Sequence, residues 1–222
     1  MKRIKTLLSF MGLLAIIAVV LLMDIPTFMK IKRGQIKDFN TVAAGKLKEG
    51  DPVKGTIDTV LGACAEQYST KFGIRTSSDS KLRYYVLWMD NEQLILYETG
   101  DKEEYSKLEK ISDETADYFD SMAEVEESGD IDDLRLPTTT MEFEGVVRKP
   151  TSEIMDYFKE YYGKMFESDF ASRAEKVMIS HREFSQYTVT MWIGLGCAVL
   201  CVVLGVVAFI LWRKQKKTST DF

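Results

Sequence analysis

Residues 81–89 read KLRYYVLWM. Successive side chains of a strand point to opposite faces. Leu82, Tyr84, Val86 and Trp88 therefore share one face, and Tyr85, Leu87 and Met89 share the other. Both faces are apolar, which predicts a central strand covered on both sides. Asp90, Asn91 and Glu92 make a tight turn, and residues 93–99 (QLILYET) return as the hairpin partner.

Working outward, residues 53–61 (VKGTIDTVL) follow a Gly-Asp-Pro turn and read as a strand. Asp101, with Glu104 three places on, predicts a capping box that opens a helix reaching about Ser128. That helix has a possible break near Ser112 and Asp113. Its expected buried positions are Leu108, Ile111, Tyr118, Phe119, Met122 and Val125. An acidic loop over 129–137 leads to residues 141–148 (MEFEGVVR), a fourth strand by alternation. A second helix is expected over 153–168, with Ile154, Met155, Phe158, Tyr161, Tyr162, Met165 and Phe166 at helical spacing. Residues 176–180 (KVMIS) form a short fifth strand.

This order predicts an α+β body. One solution is a small OB-like β-barrel, which buries the two-faced strand and removes the sheet edges. The other is an open sheet with two covering helices, both on one face.

Two apolar runs flank the body. Residues 6–23 carry no charge over 18 positions, roughly 27 Å of helix, close to a bilayer core. A signal peptide would be followed by a small-residue cleavage site, and MDIPTF follows instead. Residues 191–212 carry no charge over 22 positions, lie between Trp192 and Trp212, and end in Arg213, Lys214, Lys216 and Lys217. Both runs are expected to be transmembrane helices.

Basic residues near the spans are nearly balanced. The second span alone favours a cytoplasmic C-terminus, and two crossings then place the N-terminus there too. The expected layout is a cytoplasmic N-terminus (1–5), transmembrane helix 1 (6–23), a connector (24–50), a β-rich extracytoplasmic domain (51–182), a juxtamembrane segment with transmembrane helix 2 (183–212), and a basic cytoplasmic tail (213–222).

The chain carries 29 basic and 34 acidic residues. Setting aside the seven bases of the two tails and Asp221 leaves 22 bases against 33 acids, a net −11 for residues 24–190. Such a surface repels phosphate backbones and excludes nucleic acid as a partner. The basic tails suit an anionic leaflet.

Cys197 and Cys201 lie four apart in the second span. With Gly194, Ala198, Gly205 and Ala208 they make a stripe of small residues, the usual face for close helix packing in lipid. Thiols one turn apart on a straight helix are poorly placed for a disulfide, and neither span holds a histidine to complete a metal site. Gly12, Ala15 and Ala18 offer a counterface, within one chain or between two. The expected partners are the lipid bilayer and a membrane protein, or a second copy joined through this span.

His181 is the only histidine and is expected to be a solvated residue near the membrane entry. Asp130, Asp132 and Asp133 start like a calcium loop, but Leu134 and Arg135 break the pattern. Cys64, with no histidine in the body before 181, reads as a buried structural thiol. No phosphate loop or dinucleotide pattern occurs, so no cofactor and no enzymatic activity are expected. The tyrosines of the second helix have two readings. They are core, or Tyr157, Tyr161 and Tyr162 form an exposed partner surface.

Gly55, Ile57, Val60 and Gly62 form a G-x-I-x-x-V-x-G strand, followed by Tyr84, Tyr85 and Val86. With the N-terminal anchor and basic tail, this layout resembles a family of uncharacterised bacterial two-span membrane proteins with a small β-rich exterior domain. That resemblance implies no activity and no catalytic residues. The leading expectation is an integral membrane protein displaying an acidic interaction domain, as an accessory or scaffold component. The alternative is a membrane-anchored sensor of a small ligand or cation.

Overall fold

The computed structural model describes residues 2–71, 74–129, 131–166 and 169–218. They fall into two compact units, Arg33–Glu183 and a helical unit made of the two chain ends.

The body is a mixed sheet of seven strands. They are β1 (Lys37–Asp38), β2 (Pro52–Ile57), β3 (Val60–Lys71), β4 (Ile74–Trp88), β5 (Leu94–Thr99), β6 (Met141–Arg148) and β7 (Ala174–His181). The order across the sheet is β1-β2-β6-β7-β5-β4-β3. β1 with β2 and β5 with β7 pair in parallel, and the remaining pairs are antiparallel.

The OB-like barrel is not formed; the sheet is open. β7 enters between β5 and β6, and β1 and β3 stand at opposite edges. The physical reason lies in β4 and β5, which are apolar on both faces. Tyr85, Leu87, Ile95 and Tyr97 bury one face together with Tyr105, Leu108 and Ile111 of helix α3 (Lys102–Ser128). Tyr84, Val86, Leu94 and Leu96 bury the other with Phe158 and Tyr162 of α4 (Ser152–Phe166) and Phe170 of the short α5 (Phe170–Arg173). The two long helices therefore cover opposite faces, not one. Each fully buried aliphatic or aromatic side chain contributes about 1.5–3 kcal/mol, so covering both faces outweighs rolling one face inward.

Four further features differ from the sequence reading. Residues 53–61 are not one strand, since Asp58 and Thr59 separate β2 from β3. α3 runs unbroken to an αL cap at Gly129 (φ 75°). Its second half is less covered than expected: Phe119 lies 5.9 Å from Trp88 yet stays 39 % exposed, and Met122 is 36 % exposed. The body also begins at Arg33, because the connector contributes β1 and the buried Phe39 and Leu47.

The helical unit holds α1 (Lys2–Leu22), α2 (Ile25–Lys32) and α6 (Phe184–Thr218). α6 is the one described helix long and apolar enough by itself to cross a membrane, over Phe184–Lys214. The first run is not a single straight span. It passes only as Thr6–Leu22 with Ile25–Lys32, bent by 44°. Pro26 has no N–H to continue the helical ladder, and the chain breaks just before it.

Candidate functional site

A cleft of about 590 Å³ opens between β3 and α4. Residues 64–68 of β3 and Tyr84 of β4 form one wall. Thr151, Glu153, Ile154, Tyr157, Glu160 and Tyr161 form the other.

The packing of α4 sets this geometry. Phe158 is fully buried, 5.0 Å from the Phe170 ring and 6.1 Å from the Tyr162 ring. With that edge turned inward, Tyr157 and Tyr161 stay 40 % and 62 % exposed at the cleft. The suggested partner surface is thus divided. Tyr157 and Tyr161 line the opening, whereas Tyr162 is core at 6 % exposure. Tyr162 comes close to the sheet because Gly62 has no side chain. A β-carbon there would lie 3.0 Å from the Tyr162 hydroxyl, and Gly62 adopts φ +132°.

The electrostatics of the cleft are one-sided. Among the described residues no Lys or Arg lines it. Glu66 is already committed: Arg83 Nε lies 2.9 Å from its Oε1, and the Tyr68 hydroxyl donates to its Oε2. Arg83 is held in turn by Glu109, by Ser80 Oγ at 3.0 Å and by the Tyr105 ring, 4.6 Å from its guanidinium carbon. Glu153 and Glu160 on α4 have no cationic partner among the described residues. Burial pushes the Cys64 thiol up to about 12, so it is a neutral wall rather than a nucleophile. Burial and the neighbouring Glu98 carboxylate raise the Tyr84 phenol, which hydrogen-bonds to Glu98.

A second polar cluster lies inside the body. Glu104 does not close a capping box. Asp101 Oδ1 accepts from the Glu103 N–H (2.9 Å), and the Asp101 N–H donates to Thr99 Oγ1 (3.0 Å). The partner that Glu104 would have served is taken, so its carboxylate turns inward. There it accepts from the Tyr97 hydroxyl (3.0 Å) and lies 3.0 Å from His181 Nδ1. His181 is therefore not a solvated residue; its side chain is only 18 % exposed. The hydrogen bond to Glu104 raises its pKa, with Asp101 and Glu183 adding and burial opposing. Ser180 donates to Glu98 (2.8 Å), away from His181, because strand neighbours point to opposite faces. This is a structural network with no nucleophile aimed at the base.

In the helical unit, α6 turns its small residues toward α1. Gly194 and Ala208 are buried, and Cys197, Ala198, Cys201 and Gly205 are half-buried. A methyl at Gly194 would meet Leu21 and Leu22 at 3.1 Å, one at Gly205 would meet Met11 Sδ at 3.4 Å, and Cys201 Sγ donates to the Met11 carbonyl at 3.6 Å. On α1, Leu14 and Ala18 are buried and Ala15 is half-buried, whereas Gly12 is exposed. Asp130 lies outside the described residues, and Asp132 and Asp133 sit in a 3-10 turn, Ile131–Asp133. No group of His, Cys, Asp or Glu among the described residues is arranged to hold a metal.

The sequence carried no signal for the cleft wall on β3, since residues 62–80 match no simple period. The His181–Glu104 pair, 77 positions apart, had only one pointer: an acid in the first turn beside the apolar Tyr105 and Leu108.

The fold and sites define a mixed α+β body joined to an apolar C-terminal helix. The chain belongs to the family described as Domain of unknown function (DUF8577), whose model matches residues 1–211. No curated protein and no solved structure matches it.

Proposed function

We propose that this is a two-span integral membrane protein that displays its acidic body outside the cytoplasm and serves as an interaction subunit of a membrane complex. α6 forms one crossing and the bent α1–α2 pair the other, with both termini in the cytoplasm. The observation that carries this reading is the bare surface of α6. Only 11 % of its most apolar 18-residue window is buried, and Trp192, Val202, Val203, Phe209 and Trp212 are each more than half exposed. In water that apolar surface would stay exposed; in lipid it is covered. Trp192 and Trp212 suit the two interfaces, and Arg213 and Lys214 follow at the cytoplasmic side. The α1-facing stripe of small residues on α6 suits pairing of two helices in lipid. The net −11 of residues 24–190 favours a cationic partner.

Alkaline carbonate tests the membrane assignment: the chain stays with the vesicles. An impermeant thiol label on intact cells tests orientation, and a cysteine placed at Ser219 stays unlabelled. A mild-detergent pulldown tests the role: a stoichiometric partner is lost when residues 33–183 are deleted. Release by carbonate, labelling from outside, or retention of the partner by the truncated chain each overturns the corresponding part. The cleft of about 590 Å³ favours the second reading, a membrane-anchored sensor of a small ligand or cation. Under that reading the isolated chain is stabilised by a small cation without any protein partner.

A further inference from the structure

Five consecutive residues of β3, 64–68, border the cleft. Side chains alternate along a strand, so a cleft on one face of the sheet would touch only every second residue. Five in a row border it at the outermost strand of the sheet, where the register of β3 shifts, with Tyr84 of the neighbouring β4 beside them. β3 is the last strand of the sheet order, and among the described residues it pairs with β4 alone. At Ala65, Glu66 and Gln67 its outer edge has no ladder partner among the described residues.

The register narrows the usable length. β3 and β4 pair regularly at Ala65–Tyr84, Glu66–Arg83 and Gln67–Leu82, and the register shifts on either side, at Ala63/Ala65 and Gln67/Tyr68. Bulges of this kind stop long edge-to-edge pairing. They leave a regular slot about 10 Å long, three residues at the usual strand rise.

α4 faces that slot with Glu153, Tyr157, Glu160 and Tyr161. Their spacing of four, seven and eight from the first places them on one helix face. Among the described residues the two carboxylates have no cationic partner, and the two rings are exposed. Every second side chain of an added strand would point at this wall. A Lys or Arg there meets carboxylates and ring faces, whereas an acidic side chain meets only repulsion.

We propose that the slot between the outer edge of β3 and α4 receives an extended polypeptide segment with basic side chains at alternate positions, added to the sheet as a further strand. The inference rests on the interaction reading above and names its partner chemistry. Its test uses the purified chain, so its failure is separate from failure of membrane insertion or of the pulldown.

The full chain in detergent micelles is titrated with a labelled, capped Lys-Val-Lys-Val-Lys peptide, followed by fluorescence anisotropy and amide hydrogen exchange. Controls are the Glu-Val-Glu-Val-Glu peptide and two N-methylated lysine peptides, blocked at the odd or at the even residues. The lysine peptide binds, and amides within 64–68 gain protection. The glutamate peptide does not bind. One N-methylated peptide loses about tenfold or more in affinity and the other does not, because an added strand uses only alternate N–H groups. The double substitution E153Q/E160Q weakens binding about fivefold or more, with Tm unchanged. The proposal is overturned if the lysine peptide does not bind at about 1 mM. It is equally overturned if all four peptides bind alike, or if E153Q/E160Q binds as the natural chain does. Protection outside β3 overturns it too. Protection of 64–68 that grows with protein concentration and needs no peptide also overturns it, since the occupant is then a second copy.

Discussion

Glu104 and His181 are held 3.0 Å apart, carboxylate oxygen to Nδ1, across α3 and the last residue of β7, with the Tyr97 hydroxyl 3.0 Å from the same carboxylate. The pair ties the first turn of α3 to the final strand of the body. Its strength depends on the charge of the imidazole.

The sign of that dependence follows from the raised histidine. Glu104 dominates the shift, and Asp101 and Glu183 act in the same direction. A histidine raised in the folded state stabilises the fold fully below its ordinary value near 6.5, and that contribution disappears as pH rises through the raised value. Tm of the full chain in detergent should therefore fall as pH rises above 6.5 and through the raised value. Glu104→Gln should flatten that slope, move the His181 NMR titration down toward 6.5, and cost about 1–3 kcal/mol below pH 6. An unchanged His181 titration in the variant would show that the pair is not coupled.

The glycines of the G-x-I-x-x-V-x-G stretch, Gly55 in β2 and Gly62 in β3, make separate demands. A β-carbon at Gly55 would lie 2.6 Å from Phe39 Cβ and 2.7 Å from Asn40 Oδ1. Neither atom can retreat easily. Phe39 Cβ is fixed to a backbone whose N–H donates to the Lys54 carbonyl at 2.9 Å, and Asn40 bridges both backbone groups of Thr56 at 2.9 Å. Gly55→Ala should cost about 2–3 kcal/mol by overpacking. Gly62→Ala meets only the far end of Tyr162 and a strained φ, for about 1–2 kcal/mol. Tyr162→Phe should recover part of the second cost and none of the first. Chemical denaturation of the four chains decides this, and equal rescue of both alanine variants would refute the assignment.

Much of the fold was legible because its signals are local. The two-faced apolar run at 81–89, the Asp90–Glu92 turn and the alternation of MEFEGVVR each lie within ten residues, and β4, β5 and β6 follow them. The parallel pairing of β5 with β7 joins residues some 80 positions apart, for instance Leu96 with Met178, and no local pattern encodes it. That pairing separates an open sheet from a barrel. β3 was missed because its repeated register shifts destroy the period of two that marks a strand. At the cleft, helical spacing named Tyr157, Tyr161 and Tyr162 together. Only the inward position of Phe158 and the gap at Gly62 show that Tyr162 belongs to the core.

The same division gives a mutational contrast on one helix. Phe158 is fully buried against Phe170 and Tyr162, so Phe158→Ala should cost about 3–5 kcal/mol. Tyr161→Ala, at 62 % exposure, should change stability by less than about 0.5 kcal/mol. Thermal unfolding of the two variants tests the orientation of α4. Comparable losses would mean that Tyr161 is core and that the cleft wall is misplaced.

Glu114 makes one attachment of the body sensitive to acid. Its carboxylate accepts from the Thr139 hydroxyl (2.6 Å) and from the N–H groups of Thr138 and Thr139 (2.8 Å each), fastening the segment before β6 to α3. The Thr139 hydroxyl bond is the largest cause, the two backbone bonds follow, and together they hold Glu114 down to about 2. A lowered carboxylate stabilises the fold fully above its ordinary value of 4.5, and the contribution is lost as pH falls through the lowered one. Between pH 4.5 and about 2 the amides of Thr138 and Thr139 should lose protection before β6 does. Glu114→Gln removes the charge, so exchange at those two amides should be fast already at pH 6 and should vary little on acidification. If Thr138 and Thr139 exchange at the same rate in both chains at pH 6, the carboxylate is not what holds the segment.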